Sequence, residues 1–297
     1  MPARVDDLAR QFLGRGVSNL LRLDRDVRRG LDVEAVHQMR VNVRHLRSEL
    51  RVVATAMRAK DLARLDADLA WLGGSLSRLR DADVLAALLE GPGFPRAAAV
   101  DARLARNRAR EARRVARVLD SSRYELVVAR LARAALRPPL RGRGSRSAID
   151  VLGPGLTREI RRLGAAHDAL GESPGPDELH ALRILAKRCR YTCELAISIV
   201  PGSKRAAADL ERVQTVLGDL HDHVVAHAFV ASCAPHTSLF EPIPRDPEVD
   251  AVLAHLDATT SDLHDQWRAP LDAARASLAK VSERLQTSSS GPDVPVA

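Results

Sequence analysis

Two stretches of the chain carry a histidine followed by three basic residues at the same spacing. The first stripe consists of His37, Arg40, Arg44 and Arg47, and the second of His180, Arg183, Lys187 and Arg190. The spacing i, i+3, i+7, i+10 places the four side chains of each stripe on one face of an α-helix. Because like charges on one helix face repel, each stripe destabilises its helix unless an anion lies along it. The pattern therefore predicts two helices that share an extended anionic ligand.

The stripes have the chemistry that a linear polyanion requires. A helix rises about 1.5 Å per residue, so each stripe presents a basic group about every 5 Å along the axis. Most of the 46 basic residues are arginine, whose planar guanidinium can pair with two phosphate oxygens at once. Arg51 extends the first stripe, whereas Glu194 takes the matching place in the second. A solvated basic surface remains an alternative for the stripes, as does a capping or core role for His37 and His180 in place of donation to phosphate.

A third basic row lies further along the first half of the chain. It consists of Arg103, Arg106, Arg110 and Arg113, with Arg117 one turn beyond. Residues 1–145 carry 30 Lys and Arg against 17 Asp and Glu, whereas residues 146–297 carry 16 against 21. We therefore expect the first half to supply most of the attraction for an anion. For this row, an exposed Arg-rich surface helix without a ligand remains the alternative.

The rest of the sequence predicts long helices that would hold the stripes in place. Ala, Leu and Arg dominate and are good helix formers, and the alternating apolar pattern of strands is missing. Clusters of Gly and Pro separate the predicted helices. These helices span residues 4–29, 32–59, 61–90, 97–120, 122–137, 149–170, 177–200, 203–232 and 247–286. The predicted fold class is therefore all-α, with each basic stripe about 100° around its helix from an apolar, core-facing stripe.

A second pair of matching segments predicts that the two halves are duplicates. Residues 76–84 match residues 217–225 at an offset of 141, close to the offset of 143 between the stripes. Two landmarks in the same order indicate an internal repeat. The predicted organisation is a first helical half at 1–140, a linker at 141–155, a second helical half at 156–286 and a disordered tail at 287–297.

The paired stripes, the Tyr191 that follows the second, and the segments 76–84 and 217–225 resemble the CHAD family, the conserved histidine α-helical domain. The resemblance extends over about residues 5–280. It implies an all-α fold of two pseudo-symmetric helical bundles with a basic central groove lined by the eight residues of the two stripes. It also implies binding of inorganic polyphosphate and association with polyphosphate granules. The E-x-E-x-K signature of the triphosphate tunnel enzymes fused to some relatives does not occur, so we expect a stand-alone binding domain.

Two other functions remain open on the residues alone. Nucleic acid would suit a basic groove, but only eight Phe, Tyr or Trp residues exist to stack on bases, so we expect weak, non-specific binding. A metal-dependent phosphohydrolase could use Asp81, Asp83 and Asp222, or the i, i+4 pair His223 and His227 near His221. We expect these aspartates to pair with groove arginines instead. Since no phosphate-binding glycine loop or catalytic triad occurs, no enzyme activity, cofactor or metal is predicted.

Cysteine usage and hydropathy predict a cytoplasmic protein. Three cysteines without framework spacing argue against a disulfide-stapled secreted chain. We expect Cys189 and Cys193 to be small core residues. Neither a membrane-spanning apolar run nor a signal peptide is evident. Nothing in the sequence sets the oligomeric state.

Overall fold

Apolar residues recur at helical spacing along most of the chain, and helices form where they do. The computed structural model describes residues 4–30, 33–142, 146–233 and 246–289. The helices are α1 Val5–Gly30, α2 Val33–Val52, α3 Ala59–Leu89, α4 Ala98–Leu119, α5 Ser122–Leu136, α6 Ala148–Asp168, α7 Pro176–Leu195, α8 Ser203–Ala231, α9 Pro247–Leu263 and α10 Arg268–Ser289. These described ranges contain two isolated β-bridges and no strand, which confirms the all-α fold class. None of the described helices is both long enough and apolar enough to cross a membrane.

The single helix predicted over residues 247–286 is wrong, because α9 and α10 are separated by a turn. Pro270 explains the break: it has no N–H to donate to the Gln266 carbonyl, and its ring would clash with that carbonyl in a continuous helix. Trp267, in the turn, is 1% exposed. His264 Nε2 lies 3.1 Å from the Pro174 oxygen and ties the turn to the segment before α7.

Other predicted boundaries also shift. The helix predicted over residues 32–59 ends at Val52, and a short 3-10 turn follows at Ala54–Ala56. α6 begins at Ala148, inside the predicted 141–155 linker, because Ala148, Val151 and Leu152 bury an apolar face there. α10 continues to Ser289, into the predicted tail, and residues 290–297 lie outside the described ranges. The division into two halves stays a prediction.

The core places α2 and α7 at the centre of the molecule. α2 packs against α1, α3 and α7, and α7 also packs against α6 and α8. The predicted apolar stripe of α2 is fully buried and consists of Val36, Met39, Val43, Leu46 and Leu50. The basic residues, each one position further along, therefore lie at the edge of the core. They are half-buried, except for the exposed Arg51 at the end of the stripe.

Residues one repeat apart occupy matching places in the two halves. α1 and α6 begin 143 residues apart, and the residues just before them, Arg4 and Ser147, form an antiparallel bridge with each other. Asp68 and Asp209 are 141 residues apart, and both are buried and paired with arginine. A duplication requires correspondences of this kind. The duplication itself stays our interpretation.

The close approach of α1 to α2 predicts a sharp difference between two glycines of α1. A Cβ on Gly16 would lie 2.3 Å from Leu46 Cδ2, and Leu46 is fully buried, whereas a Cβ on Gly14 would meet nothing within 4 Å. We expect Gly16→Ala to lower the free energy of unfolding by about 1–3 kcal/mol through overpacking. Gly14→Ala, the matched control, should raise it by up to about 1 kcal/mol because alanine favours helix. Urea titration monitored by circular dichroism measures both, and equal effects would refute the close packing.

Candidate anion-binding site

The two motif helices bring their basic stripes together at the centre of the molecule. Packing of α2 on α7 and of α3 on α8 assembles a set of side chains from four helices. We call central cluster the residues His37, Arg40, Arg44, Arg80, Asp81, His180, Arg183, Lys187, His221 and Asp222. All of them are half-buried except Asp81, which is exposed. Six of the stripe residues therefore converge, three from each half.

Arg40 is held in place by α3. Its Nε donates a hydrogen bond to Ser77 Oγ at 3.1 Å, and its Nη2 lies 3.5 Å from Asp81 Oδ1. Ser77 Oγ in turn donates to the Gly73 carbonyl at 2.9 Å, which leaves its lone pairs for Arg40. The Arg40 side chain is 23% exposed and that of Asp81 is 59% exposed. Asp81 therefore fixes the guanidinium from the solvent side without being buried with it.

Arg183 takes the equivalent place on α8, where Gly218 matches Ser77. A Cβ on Gly218 would lie 3.4 Å from Arg183 Nη2 and 3.7 Å from its Nε. The missing side chain lets the guanidinium lie against the α8 backbone. Asp222 matches Asp81; burial raises the pKa of Asp222, and the positive charge of Arg183 opposes that rise. Each half thus presents one arginine braced by the helix that follows its motif helix.

The histidines of the cluster are close to other basic groups. The rings of His180 and His221 lie 4.3 Å apart between centroids, with their Nδ1 atoms 3.2 Å apart. Burial, with the charges of His180 and Arg183, lowers the pKa of His221 to about 4. Burial and the charge of Arg80 lower the pKa of His37, whose buried Nδ1 has no hydrogen-bond partner among the described residues. His37 and His221 are therefore neutral near pH 7, and an anion beside them would favour their protonated forms.

Repulsion between cations couples the two halves. Burial, together with the charges of Arg44, Arg183 and Arg40, lowers the pKa of Lys187 to about 8. Burial and the neighbouring charges of Arg44 and Arg183 also lower the pKa of Arg40, while Asp81 opposes that shift. Arg44 Nε is buried without a hydrogen-bond partner among the residues the structure describes. Since the central cluster holds five arginine and lysine side chains against two carboxylates, it carries excess positive charge where water is partly excluded.

Acids from neighbouring helices compensate the outer members of the stripes. Arg47 makes a two-point ion pair with Asp66 of α3, with Nε–Oδ1 and Nη2–Oδ2 distances of 2.9 and 3.2 Å. Arg190 is 13% exposed; its Nη1 lies 2.8 Å from Glu211 Oε1 and its Nε 3.3 Å from Glu194 Oε1. These two arginines are held away from the central cluster. The spacing within α2 or α7 could not predict this, because Asp66 and Glu211 lie on other helices.

Arg80, Ser77 and Gly218 belong to the site but are not part of the stripes. The second pair of matching segments, 76–84 and 217–225, was the signal that could have identified them, because these segments lie on α3 and α8 against the motif helices. Asp81 contacts a cluster arginine, as predicted. Asp83 instead pairs with Arg108 of α4, with an Oδ1–Nε distance of 2.7 Å.

The basic row of α4 lies on an outer surface. Its predicted members are all exposed, namely Arg103, Arg106, Arg110 and Arg113. The buried side of α4, which includes Leu104 and Val115, faces the core. Arg108 reaches Asp83, which lies two residues and about 200° around α3 from Asp81. α4 therefore packs on the side of α3 that faces away from the central cluster, and the structure does not bring its row there.

Arg51 also lies apart from the central cluster. It follows Arg44 by seven residues, which is about 10 Å along α2. It lines a separate cavity together with Arg188 of α7 and with Arg158 and Arg162 of α6. The first stripe therefore serves two places on the protein surface.

The histidines considered as zinc ligands have other partners. His223 Nδ1 lies 2.8 Å from the backbone oxygen of Asp219, one turn earlier in α8. His227 Nε2 lies 3.3 Å from Asp257 Oδ1 of α9. Within the ranges that the structure describes, no three His, Cys, Asp or Glu side chains are grouped as a metal site requires.

Comparison with known proteins finds relatives over almost the whole chain. Uncharacterised proteins from the CDC 1551 / Oshkosh and H37Rv strains of Mycobacterium tuberculosis are each 29% identical to it over 289 residues. The matches cover 91% of this chain and 53% of each relative. The chain therefore spans about half the length of the curated relatives it matches.

Two solved structures share the helical arrangement. The crystal structure of the CHAD domain from the plant Ricinus communis is 26% identical with a TM-score of 0.71, covering 94% of this chain and 92% of that one. PptA from Streptomyces chartreusis shares the fold at 21% identity and a TM-score of 0.68, covering 93% of this chain and 100% of its own. The family model for the CHAD domain matches residues 11–231, which include all four helices of the central cluster. The chain therefore belongs to the CHAD domain family.

Proposed function

We propose that this protein binds inorganic polyphosphate at the central cluster. The observation that carries the proposal is the convergence of half-buried cations from both halves, which lower one another's pKa values and outnumber the carboxylates beside them. An anion that touches several of these groups at once relieves their repulsion. The resemblance to the CHAD family, which implies this ligand, supports the same assignment.

A chain of phosphates suits the cluster because it provides negative charges and has no bases that would need specific contacts. It carries about one negative charge per phosphate, and contacts of that kind position a ligand but do not specify a sequence. Each arginine–phosphate contact contributes little in salt, whereas contacts linked along one ligand raise the avidity steeply. Attachment to polyphosphate granules is part of the proposal, since a protein that binds the polymer is drawn to where the polymer accumulates.

Nucleic acid is the second candidate, and the excess charge of the cluster is the observation that favours it. Single strands are usually bound by aromatic side chains on which the bases stack. Among the described residues, no Phe, Tyr or Trp is part of the central cluster. Tyr191, the aromatic residue adjoining the second stripe, packs against His45 with 4.3 Å between ring centroids. We therefore assign nucleic acid a weak, non-specific mode that depends on charge alone.

The proposed role is binding without a catalytic step. The two carboxylates of the cluster lie beside arginines: Asp81 is 3.5 Å from Arg40, and Asp222 is coupled electrostatically to Arg183. Both are suited to orienting these arginines and to limiting their repulsion when no ligand is bound.

Polyphosphates of graded length test the assignment of the ligand. We expect the protein's affinity to increase with chain length until the cluster is filled, and to exceed that for single-stranded DNA of equal charge at physiological salt. Thermal-shift titration and calorimetry measure both trends, with single phosphate as the control. Phosphate release, measured in the same samples with and without a divalent metal, detects any hydrolysis. Stronger binding of DNA would establish the nucleic-acid function instead, and sustained release would establish a hydrolase.

Charge reversal at the centre of the cluster tests the location of the site. The double variant Arg44→Glu with Lys187→Glu changes one residue from each half and should weaken binding of long-chain polyphosphate by at least about 100-fold. The control, Arg133→Glu with Lys280→Glu, makes the same change in net charge at exposed positions on the outer helices α5 and α10. The control should stay within about threefold of the wild type. Circular dichroism verifies helix content, and equal losses in the two variants would show that overall charge, not the cluster, governs binding.

The lowered pKa of Lys187 predicts a loss of affinity in alkaline solution. With a pKa of about 8 in the unliganded protein, Lys187 is protonated at pH 7 and largely neutral at pH 9. A bound anion raises that pKa, so affinity is full below pH 8 and falls as the pH rises through and above 8. We expect the Kd to rise by about tenfold between pH 7 and pH 9. The charge of a long-chain ligand changes little there, because each internal phosphate has a single acidic group that is already ionised at pH 7.

Lys187→Arg is the matched variant for this titration, since arginine stays charged throughout that range. Its Kd should be nearly flat from pH 7 to pH 9. A tenfold rise in both proteins would assign the pH dependence to another group.

A further inference from the structure

Four arginines surround a cavity on the flank of the motif helices. The cavity has a volume of about 300 Å³ and lies between the end of α2, the middle of α6 and the exposed side of α7. We call arginine pocket the set of Arg51, Arg158, Arg162 and Arg188. The exposed Thr55 also lines the cavity and adds a hydroxyl donor, whereas the buried Thr192 donates its hydroxyl proton to the Arg188 carbonyl at 2.9 Å. The cavity lining thus combines bidentate cationic donors with a neutral donor, which is the chemistry that binds phosphate oxygens.

Most of the charge in the arginine pocket is uncompensated. Among the described residues, no carboxylate lies within 4 Å of the guanidinium nitrogens of Arg51, Arg158 or Arg188. The one acid in the lining, Glu159, pairs with Arg162 at 3.2 Å, and its other carboxylate oxygen is buried without a hydrogen bond. Burial, and after it the charges of Arg47 and Arg188, lowers the pKa of Arg51, while the charges of Asp66 and Glu159 oppose that shift. The pocket is therefore a second place where cations repel one another.

The other flank of the molecule provides an internal comparison. At the places related by 143 residues, Arg15 matches Arg158, Asn19 matches Arg162, His45 matches Arg188 and Glu194 matches Arg51. A cavity of about 360 Å³ between α1, α2 and α7 is lined by Arg15, Asn19, His45 and Glu194.

There the charge is compensated internally. Arg15 pairs with the buried carboxylate of Glu49. Burial lowers the pKa of His45 to about 4, so its ring is neutral, and it lies 3.3 Å from Glu194. The positive charge of the arginine pocket is thus specific to one flank and does not follow from the shape of the fold.

We propose that the arginine pocket is a second anion site, for a compact group of two or three linked phosphates. A cavity of about 300 Å³ is at the small end of the range for ligand pockets, which excludes a folded polymer. On α2, Arg47 lies between this pocket and the central cluster. It is paired with Asp66 and therefore separates the two sites. The phosphates come either from a free inorganic di- or triphosphate or from the end of a long polyphosphate chain that lies in the central cluster.

Calorimetric titration of the full chain with inorganic tripolyphosphate tests the site. The variant Arg158→Ala with Arg162→Ala removes two exposed arginines of α6, and circular dichroism verifies its helix content because Glu159 loses its partner Arg162. We expect its Kd for tripolyphosphate to rise by about tenfold for each arginine removed. The matched control, Arg15→Ala with Arg22→Ala, alters the other flank and should change the Kd less than twofold. Glu159→Gln removes the competing carboxylate and should tighten binding severalfold.

A fourth variant, Arg44→Ala with Lys187→Ala, separates this site from the central cluster. Tripolyphosphate binding that survives in this variant but is lost in the α6 variant supports the pocket, even if the proposed polyphosphate site is wrong. Wild-type affinity in the α6 variant overturns the pocket whatever the central variant does. Long-chain polyphosphate distinguishes the two sources: a loss of its affinity in the α6 variant indicates a bound chain end, and an unchanged affinity indicates a free small anion.

Discussion

Repulsion between basic residues of α2 and α7 is the interaction around which this molecule is organised. The apolar faces of the two helices pack into one continuous core, and that packing forces Arg40 and Arg44 close to Arg183 and Lys187. Burial of apolar area is large enough to hold together like charges that would otherwise separate, because their repulsion remains partly screened at the surface. The lowered pKa of Lys187 is the measure of this unfavourable environment. In the proposed function, an anion at the central cluster offsets that repulsion.

The local device that makes this possible is an offset of one residue between two stripes on the same helix. Val36, Met39 and Val43 are fully buried, and the next residue in each case is basic and half-buried. One helix thus contributes to the core and to the site, and rigid packing of the first fixes the geometry of the second. The acids follow the same logic. Asp81 lies on the solvent side of Arg40 and orients it. Asp66 accepts two hydrogen bonds from Arg47, so that this arginine is not available to the central cluster.

The helices could be predicted from the sequence, because they depend on short-range periodicity. The convergence of the two stripes was expected from their matching spacing and from the family resemblance, because no local pattern determines which helices pack together. Helical spacing predicted α2 and α7 and the side of each that is buried, and two matching offsets predicted that His37 and His180 would be neighbours of equivalent cations. What failed depends on contacts between helices. The pairing of Arg190 with Glu211 and the contact of Arg103 with Phe229 at the end of α8 require knowledge of which helices pack together. The break before α10 is a different case, because Pro270 interrupts the helix locally although the apolar pattern continues on both sides of it.

Symmetry explains why the centre and the flanks of the protein differ. In the central cluster, stripe residues 143 positions apart are coupled electrostatically, as Arg40 is to Arg183 and Arg44 to Lys187, so a change on one side alters the field at the other. Each flanking cavity has its own partner helix, α1 or α6, and can change independently. The position occupied by Arg51 in one half and by Glu194 in the other determines whether the flanking cavity has excess positive charge. Glu194 lies beside His45 and Arg190 and makes its flank nearly neutral. Arg51 instead adds a positive charge near Arg188. On that side Arg47 is paired with Asp66. Under the proposed duplication, the two halves share the central cluster, and the proposed second anion site belongs to one flank alone.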